Sequence, residues 1–219
     1  MKLCVIGGAG ARSAFLTKSL VKSTRDIRVD HIVLLDNDQQ KLKTYGEISR
    51  ELSRRLDPDL TFEVTSDARA ALTGVDYIIT TIRAGGDAGR LFDEQTCLAH
   101  GVLGQETTGA GGFAMAIRSV PTLVYYCTLA REVANPGHLI FNFTNPSGII
   151  TQALRSKGFD NVYGICDAPS GFIKQLEEIL EIPYGTLDIE CYGLNHLSWF
   201  RNAKVNGLSL IHISEPTRH

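Results

Sequence analysis

Apolar residues in this chain gather in short unbroken runs, separated by stretches whose apolar positions repeat at helical spacing. Leu3, Val5 and Ile6 make the first run, His31-Ile-Val-Leu-Leu35 the second, and further runs lie at 62–65, 75–82, 139–143 and 162–165. Runs of that length, several of them rich in β-branched residues, predict strands covered on both faces. The intervening segments 11–23, 38–55, 67–72, 113–133 and 148–156 predict helices, with Asp57-Pro58 closing the second of them. In 113–133 the apolar stripe is Ile117, Val120, Leu123, Val124 and Leu129, and Pro121 is expected to kink or interrupt it.

Strand and helix thus alternate with short links, the mark of right-handed parallel crossovers. The expected fold is α/β, a Rossmann-like, doubly wound, mostly parallel sheet in the order 3-2-1-4-5-6, with a ligand crevice at the carboxyl ends of the strands. After a helix at 170–180, the segments 186–193 and 197–205 alternate like antiparallel strands, and Val205-Asn-Gly207 reads as a hairpin turn. They predict the start of an antiparallel α+β second domain, dividing the chain into 1–168, 169–208 and a tail at 209–219. One stretch breaks the rhythm. Residues 83–112 hold eight glycines with modest apolar content and are expected to form a long irregular lid or binding loop.

At 219 residues the chain can bury a sizeable core. A net charge of −2, with 21% charged residues and no basic stripe, argues against nucleic acid as a partner. No window reaches eighteen apolar residues, and the N-terminal run lacks a basic leader and a cleavage site, so the expectation is a cytoplasmic protein without a membrane segment. The five cysteines are odd in number and lack CxxC spacing, which indicates neither a disulfide framework nor a thiolate zinc cage.

The first strand runs into Gly7, Gly8 and Gly10 and then into a helix. Glycine here permits a tight turn and close approach of a ligand to the backbone, and the unpaired N–H groups at the helix start favour a pyrophosphate. Ser13 stands where a third glycine usually packs helix on strand. Asp36 ends the second strand, where a carboxylate accepts hydrogen bonds from an adenosine ribose and repels a 2′-phosphate, so NAD is favoured over NADP. The expected cofactor-binding set is Gly8, Ala9, Gly10, Ala11, Arg12, Ser13 and Asp36. The same features also suit a glycine turn and a helix-capping Asp in a protein that binds no nucleotide.

Topology brings the residues after strands four, five and six, namely Arg83, Asn145 and Cys166, to one crevice. Asn145 offers donors and acceptors to a ligand from the Asn-Pro turn of Phe143-Thr-Asn-Pro-Ser-Gly148. Cys166 lies just past strand six beside Asp167, and a thiol near a cation there ionises and can bind metal. His196 lies at the tight connection of Gly193-Leu-Asn-His-Leu-Ser-Trp199. Taken singly, Asn145 suits a structural role equally, Cys166 and His196 suit one better, as a buried Cys and a His capping a turn, and one thiolate plus one imidazole is an incomplete metal site that substrate or water must complete.

GGAGARS at 7–13, IRAGGDAGRLFDE at 82–94, GQETTGAGGFAMAIRSVP at 104–121, FTNPSG at 143–148, CDAP at 166–169 and GLNHLSW at 193–199 together resemble glycoside hydrolase family 4, and within it 6-phospho-β-glucosidases. The likeness implies an NAD-dependent redox route in place of the usual two-carboxylate scheme. In that route the sugar C3 hydroxyl is oxidised to a ketone, which acidifies the C2 proton; a base removes it, the C1 substituent leaves, water adds, and the hydride returns to C3. The resemblance further implies a divalent cation, usually Mn2+, on Cys166 and His196, although that ligand pair by softness alone suits zinc or iron. It implies substrate contacts from Arg90 and Asn145, a proton donor to the leaving oxygen in Asp167, and a carboxylate tuning the catalytic base in Glu106.

Family members carry the tyrosine base and a phosphate-contacting arginine in a later portion, and none of the seven tyrosines here occupies that motif. The expectation is therefore an N-terminal, poorly active fragment of a homo-oligomeric enzyme acting on a small phosphorylated disaccharide or β-glucoside, with 209–219 a non-native tail. Two alternatives stand beside it: a lactate- or malate-type NAD-dependent dehydrogenase, and a non-catalytic NAD-binding module.

Overall fold

The computed structural model describes residues 1–194 and 197–210. The unbroken apolar runs at its centre are buried on both faces, as parallel strands flanked by helices require. Strand β1 (Lys2–Ile6) pairs in parallel with β2 (His31–Leu35) and β4 (Tyr77–Thr80), and β3 (Thr61–Thr65), β5 (Leu139–Asn142) and β6 (Val162–Gly164) extend the sheet. The order is β3-β2-β1-β4-β5-β6, the doubly wound order expected from the alternation of elements. Alternate side chains supply two cores. Leu3, Val5, Ile32 and Leu34 pack with Val21 of α1 (Ser13–Ile27), while Cys4, Ile6, Val33 and Leu35 join Ile78, Leu123 and Ile140 on the other face.

Three helical expectations need correction. The segment read as one helix at 38–55 is instead α2 (Gln39–Lys41), a π turn at Leu42–Gly46, and α3 (Glu47–Leu56). The wider turn brings Gly46 so close to β3 that a Cβ there would meet Val64 Cγ1 at 2.5 Å. The glycine-rich stretch at 83–112 is largely helical, forming α5 (Gly86–Ala99) and the start of α6 (Gly109–Val133). Helix α6 also runs unbroken through Pro121. Ile117, whose carbonyl loses its helical partner to the proline, is exposed to water that can replace it. By length and composition α6 could cross a membrane, yet its Leu123, Cys127 and Ala130 pack into the core.

Helices α4 (Ala68–Leu72) and α7 (Ser147–Ser156) complete the first of two units, Met1–Ile165. The second, Cys166–His219, holds α8 (Ala168–Ile179) and an antiparallel sheet of β7 (Leu187–Leu194), β8 (Leu197–Val205) and β9 (Leu208–Ser209). Asn206 and Gly207, at φ 51° and 80°, make the predicted two-residue turn between β8 and β9. Phe172 stacks against Phe200 with centroids 4.5 Å apart, and buried Glu177 accepts hydrogen bonds from the Thr186 and Leu187 N–H groups. Several large apolar side chains of the first unit, Phe92, Leu103 and Phe113 among them, face solvent.

Candidate active site

The turn after β1 is tied to the end of β2, because the N–H groups of Gly7 and Gly8 both donate to the Leu35 carbonyl, at 2.8 and 3.0 Å. Gly7 sits at φ +83°, and a Cβ on it would lie 2.9 Å from Ile82 N. One on Gly8 would lie 2.9 Å from both Leu34 Cβ and the Val5 carbonyl. Gly10 is different, since the nearest atom to a Cβ there is the Gly7 carbonyl oxygen at 4.0 Å. The protein's own packing thus demands glycine at 7 and 8, and position 10 is left open toward a ligand. Helix α1 then begins at buried Ser13 with no side chain capping its N-terminus. Ser13 Oγ accepts from Ser49 Oγ of α3 at 3.3 Å, so the place of a third glycine here serves the approach of two helices.

Asp36 closes this cradle. Its Oδ2 accepts from Ala9 N–H at 3.2 Å and its Oδ1 from Asp38 N–H at 3.0 Å, which fixes the carboxylate beside the glycine turn with lone pairs left for further donors. Of the predicted cofactor set, Ala9 is fully buried whereas Ala11 and Arg12 are exposed at the helix entrance. A tight glycine turn, an uncapped helix start and an oriented carboxylate fit a dinucleotide: pyrophosphate at the first two, ribose at the third.

The ends of β4 and β5 are welded by a buried polar network. Thr80 Oγ1 donates to Asn142 Oδ1 at 2.9 Å, Thr144 N–H donates to the same oxygen at 3.2 Å, and Asn142 Nδ2 donates to Thr151 Oγ1 at 3.1 Å. Ile82 N–H donates to Thr144 Oγ1 at 3.1 Å, and Thr81 Oγ1 donates to the Gly7 carbonyl at 3.0 Å, linking the network to the glycine turn. This scaffold presents Asn145, which is half-buried and whose side chain has no hydrogen-bond partner among the described residues.

Arg90 and Glu106, sixteen positions apart in the chain, meet in a cluster of charges. Arg83 Nη1 donates to Glu106 Oε2 at 2.5 Å, Arg90 Nε donates to Glu94 Oε1 at 2.6 Å, and Arg90 Nε lies 3.7 Å from Glu106 Oε2. The hydrogen bond to Glu94, then the charge of Glu106, holds the Arg90 guanidinium above its ordinary pKa. Arg83 and Glu94 were not assigned chemistry from the sequence. The signal was an acidic and a basic side chain at i, i+4 spacing, Arg90 to Glu94, which glycine-rich composition disguised as loop.

In the second unit, Cys166 Sγ accepts a hydrogen bond from Ala168 N–H at 3.5 Å, in the first turn of α8, and lies 4.0 Å from Asp167 Oδ1. Asp167 is the N-cap residue of α8. Thiolate sulfur is the form that ligates metal. The other predicted ligand, His196, lies outside the described residues, as do positions 211–219 of the predicted tail. Among the described residues no group of three or more His, Cys, Asp or Glu forms a metal cage.

A sequence model described as family 4 glycosyl hydrolase matches residues 2–182. The chain belongs to glycosyl hydrolase family 4. This family 4 chain is 35% identical over 209 residues to 6-phospho-beta-glucosidase BglT of Thermotoga maritima, covering 94% of itself and 49% of that relative. It therefore spans about half the length of the curated relatives it matches. Among solved structures it resembles a 6-phospho-alpha-glucosidase from gut microorganisms in complex with NAD and Mn2+, with a TM-score of 0.89 and 31% identity over 97% of this chain and 49% of that one. It likewise resembles the 6-phospho-beta glucosidase of Thermotoga maritima with manganese, NAD+ and glucose-6-phosphate, with a TM-score of 0.88 and 32% identity over 97% of this chain and 51% of that one. Family 4 membership is thus shared with relatives named for both anomers.

Proposed function

We propose that the full-length protein hydrolyses 6-phospho-β-glucosides with NAD and a divalent metal, Mn2+. The observation that carries this reading is the cradle of Gly7, Gly8, Gly10 and Asp36 in a chain of family 4, supported by 35% identity to a β-specific relative. In this reading 1–168 is the NAD-binding domain and 169–208 opens the substrate domain of a cytoplasmic homo-oligomer. NAD supplies a reversible hydride acceptor, and the metal, held by Cys166 and His196, supplies a Lewis acid.

The chain's own groups bind, orient and move protons. Backbone N–H groups at Gly10 to Arg12, not spent on the turn itself, receive the pyrophosphate and Asp36 the ribose hydroxyls. Asn145 offers an unpaired amide to a sugar hydroxyl, and Arg90 turns a cation toward the sugar. Asp167 delivers a proton to the leaving oxygen, and Glu106, held by Arg83, sets the charge around the group that takes the C2 proton. The test is release of aglycone from a chromogenic 6-phospho-β-glucoside with NAD and Mn2+ present. The expected result is turnover without accumulation of NADH, abolished by Cys166→Ala. Stoichiometric NADH, or no release of aglycone, overturns the reading.

A further inference from the structure

An ion pair outside the candidate site, its carboxylate buried and its guanidinium half-buried, joins α5 to α6. Asp93 on α5 has a side chain only 6% exposed, and Arg118 on α6 grips it with both terminal nitrogens, Nη1 at 2.9 Å from Oδ1 and Nη2 on Oδ2. Arg118 Nε also donates to the Ala84 carbonyl at 3.3 Å, just ahead of α5. The flat guanidinium lies in a notch made by two glycines: a Cβ at Gly85 would stand 3.0 Å from Arg118 Nε, and one at Gly89 3.4 Å from Nη2. Burying such a pair gains little net stability over apolar side chains of similar volume, so stability alone does not account for it.

Geometry does account for it. Gly89 and Asp93 lie on one stripe of α5 at i, i+4 spacing below Gly85 at its N-cap, and the adjoining stripe carries Asp87, Arg90 and Glu94, with Arg83 just before the helix. The setting of α5 along and about its axis therefore decides whether Arg83 and Arg90 both reach Glu106. We infer that Arg118 is a positioning residue: through Asp93 and the Ala84 carbonyl it sets α5 so that two cations face one carboxylate. A lysine at that position keeps the charge, but it cannot reproduce a fork that holds a carboxylate and a carbonyl together.

The consequence for sugar-phosphate binding rests on the glycosidase reading, whereas the setting of α5 does not. The test is Arg118→Lys, with Asp93→Asn as a second variant, in the full-length protein, read by amide hydrogen exchange and by calorimetry with NAD and with glucose 6-phosphate. Exchange over 84–94 is expected to quicken about tenfold while amides 3–6 of β1 stay protected, and glucose 6-phosphate affinity to fall about tenfold while NAD affinity holds within about twofold. Unchanged exchange over 84–94 overturns the inference. So does faster exchange with unaltered sugar-phosphate affinity, or a parallel loss of NAD affinity that marks general loosening. If the unsubstituted protein binds NAD and no glucose 6-phosphate, the glycosidase reading fails and the exchange result alone decides the role of Arg118.

Discussion

Among single residues, the two glycines at 8 and 10 separate folding from binding. Gly8→Ala places a Cβ 2.9 Å from Leu34 Cβ and the Val5 carbonyl, inside the core, and is expected to cost about 2 kcal/mol in urea denaturation as well as NAD binding. Gly10→Ala meets nothing closer than 4.0 Å, so it is expected to leave the denaturation midpoint in place while weakening NAD by about tenfold in calorimetry. Asp36→Asn removes the charge yet keeps the shape, and is expected to weaken NAD about tenfold and narrow the preference over NADP. These positions were legible in advance because a strand, a glycine turn and an acidic strand end sit at fixed offsets. Asp93 and Arg118 were not, because nothing in a one-dimensional pattern says that an aspartate in one helix and an arginine in the next are paired with each other.

Elements were read well where burial enforces a period and poorly where it does not. The central strands β1 and β2 announce themselves because both faces are covered, so their runs are almost wholly apolar, while the edge strands β3 and β6 are partly exposed and more polar. Helix α5 reads as loop in the sequence, since Gly86 and Gly89 are helix-poor residues; the missing side chains of Gly89 and of Gly85, just ahead of the helix, leave room for Arg118. The π turn at Leu42–Gly46 likewise follows from contact with β3, which a helical period does not encode. At the β4–β5 junction, Asn142→Ala strands Thr80 Oγ1 and Thr144 N–H without their acceptor inside the core. The expected cost is about 2–4 kcal/mol in urea denaturation, the penalty for unpaired buried groups in a network.

For the molecule as a whole, the sheet order followed from alternation of elements alone, whereas the pairing of Cys166 with His196 is a proposal because His196 lies outside the described residues. Two thiols give the folded state a pH dependence of their own. Burial pushes Cys4 and Cys127 from an ordinary 9.0 up to about 12, against slight opposition from Lys2 and Arg131. Both stay protonated in the fold while the unfolded chain ionises, so their contribution is complete below pH 9 and is lost as pH rises from 9 toward 12. Urea midpoints are expected to decline over that alkaline range, and to decline less in the Cys4→Ala, Cys127→Ala double variant than in the parent. Exposed Cys191 is expected to react with a thiol reagent at neutral pH while Cys4 and Cys127 wait for unfolding.

The apolar side chains left facing water bear on how copies of this chain behave in the test tube. Leu103 is 77% exposed, Phe92 69% and Phe113 62%, while a net charge of −2 provides almost no mutual repulsion. Oily surface with weak charge favours colloidal clumping, and sulfate, which strengthens the hydrophobic effect, should drive the chain out of solution far earlier than chloride of equal ionic strength.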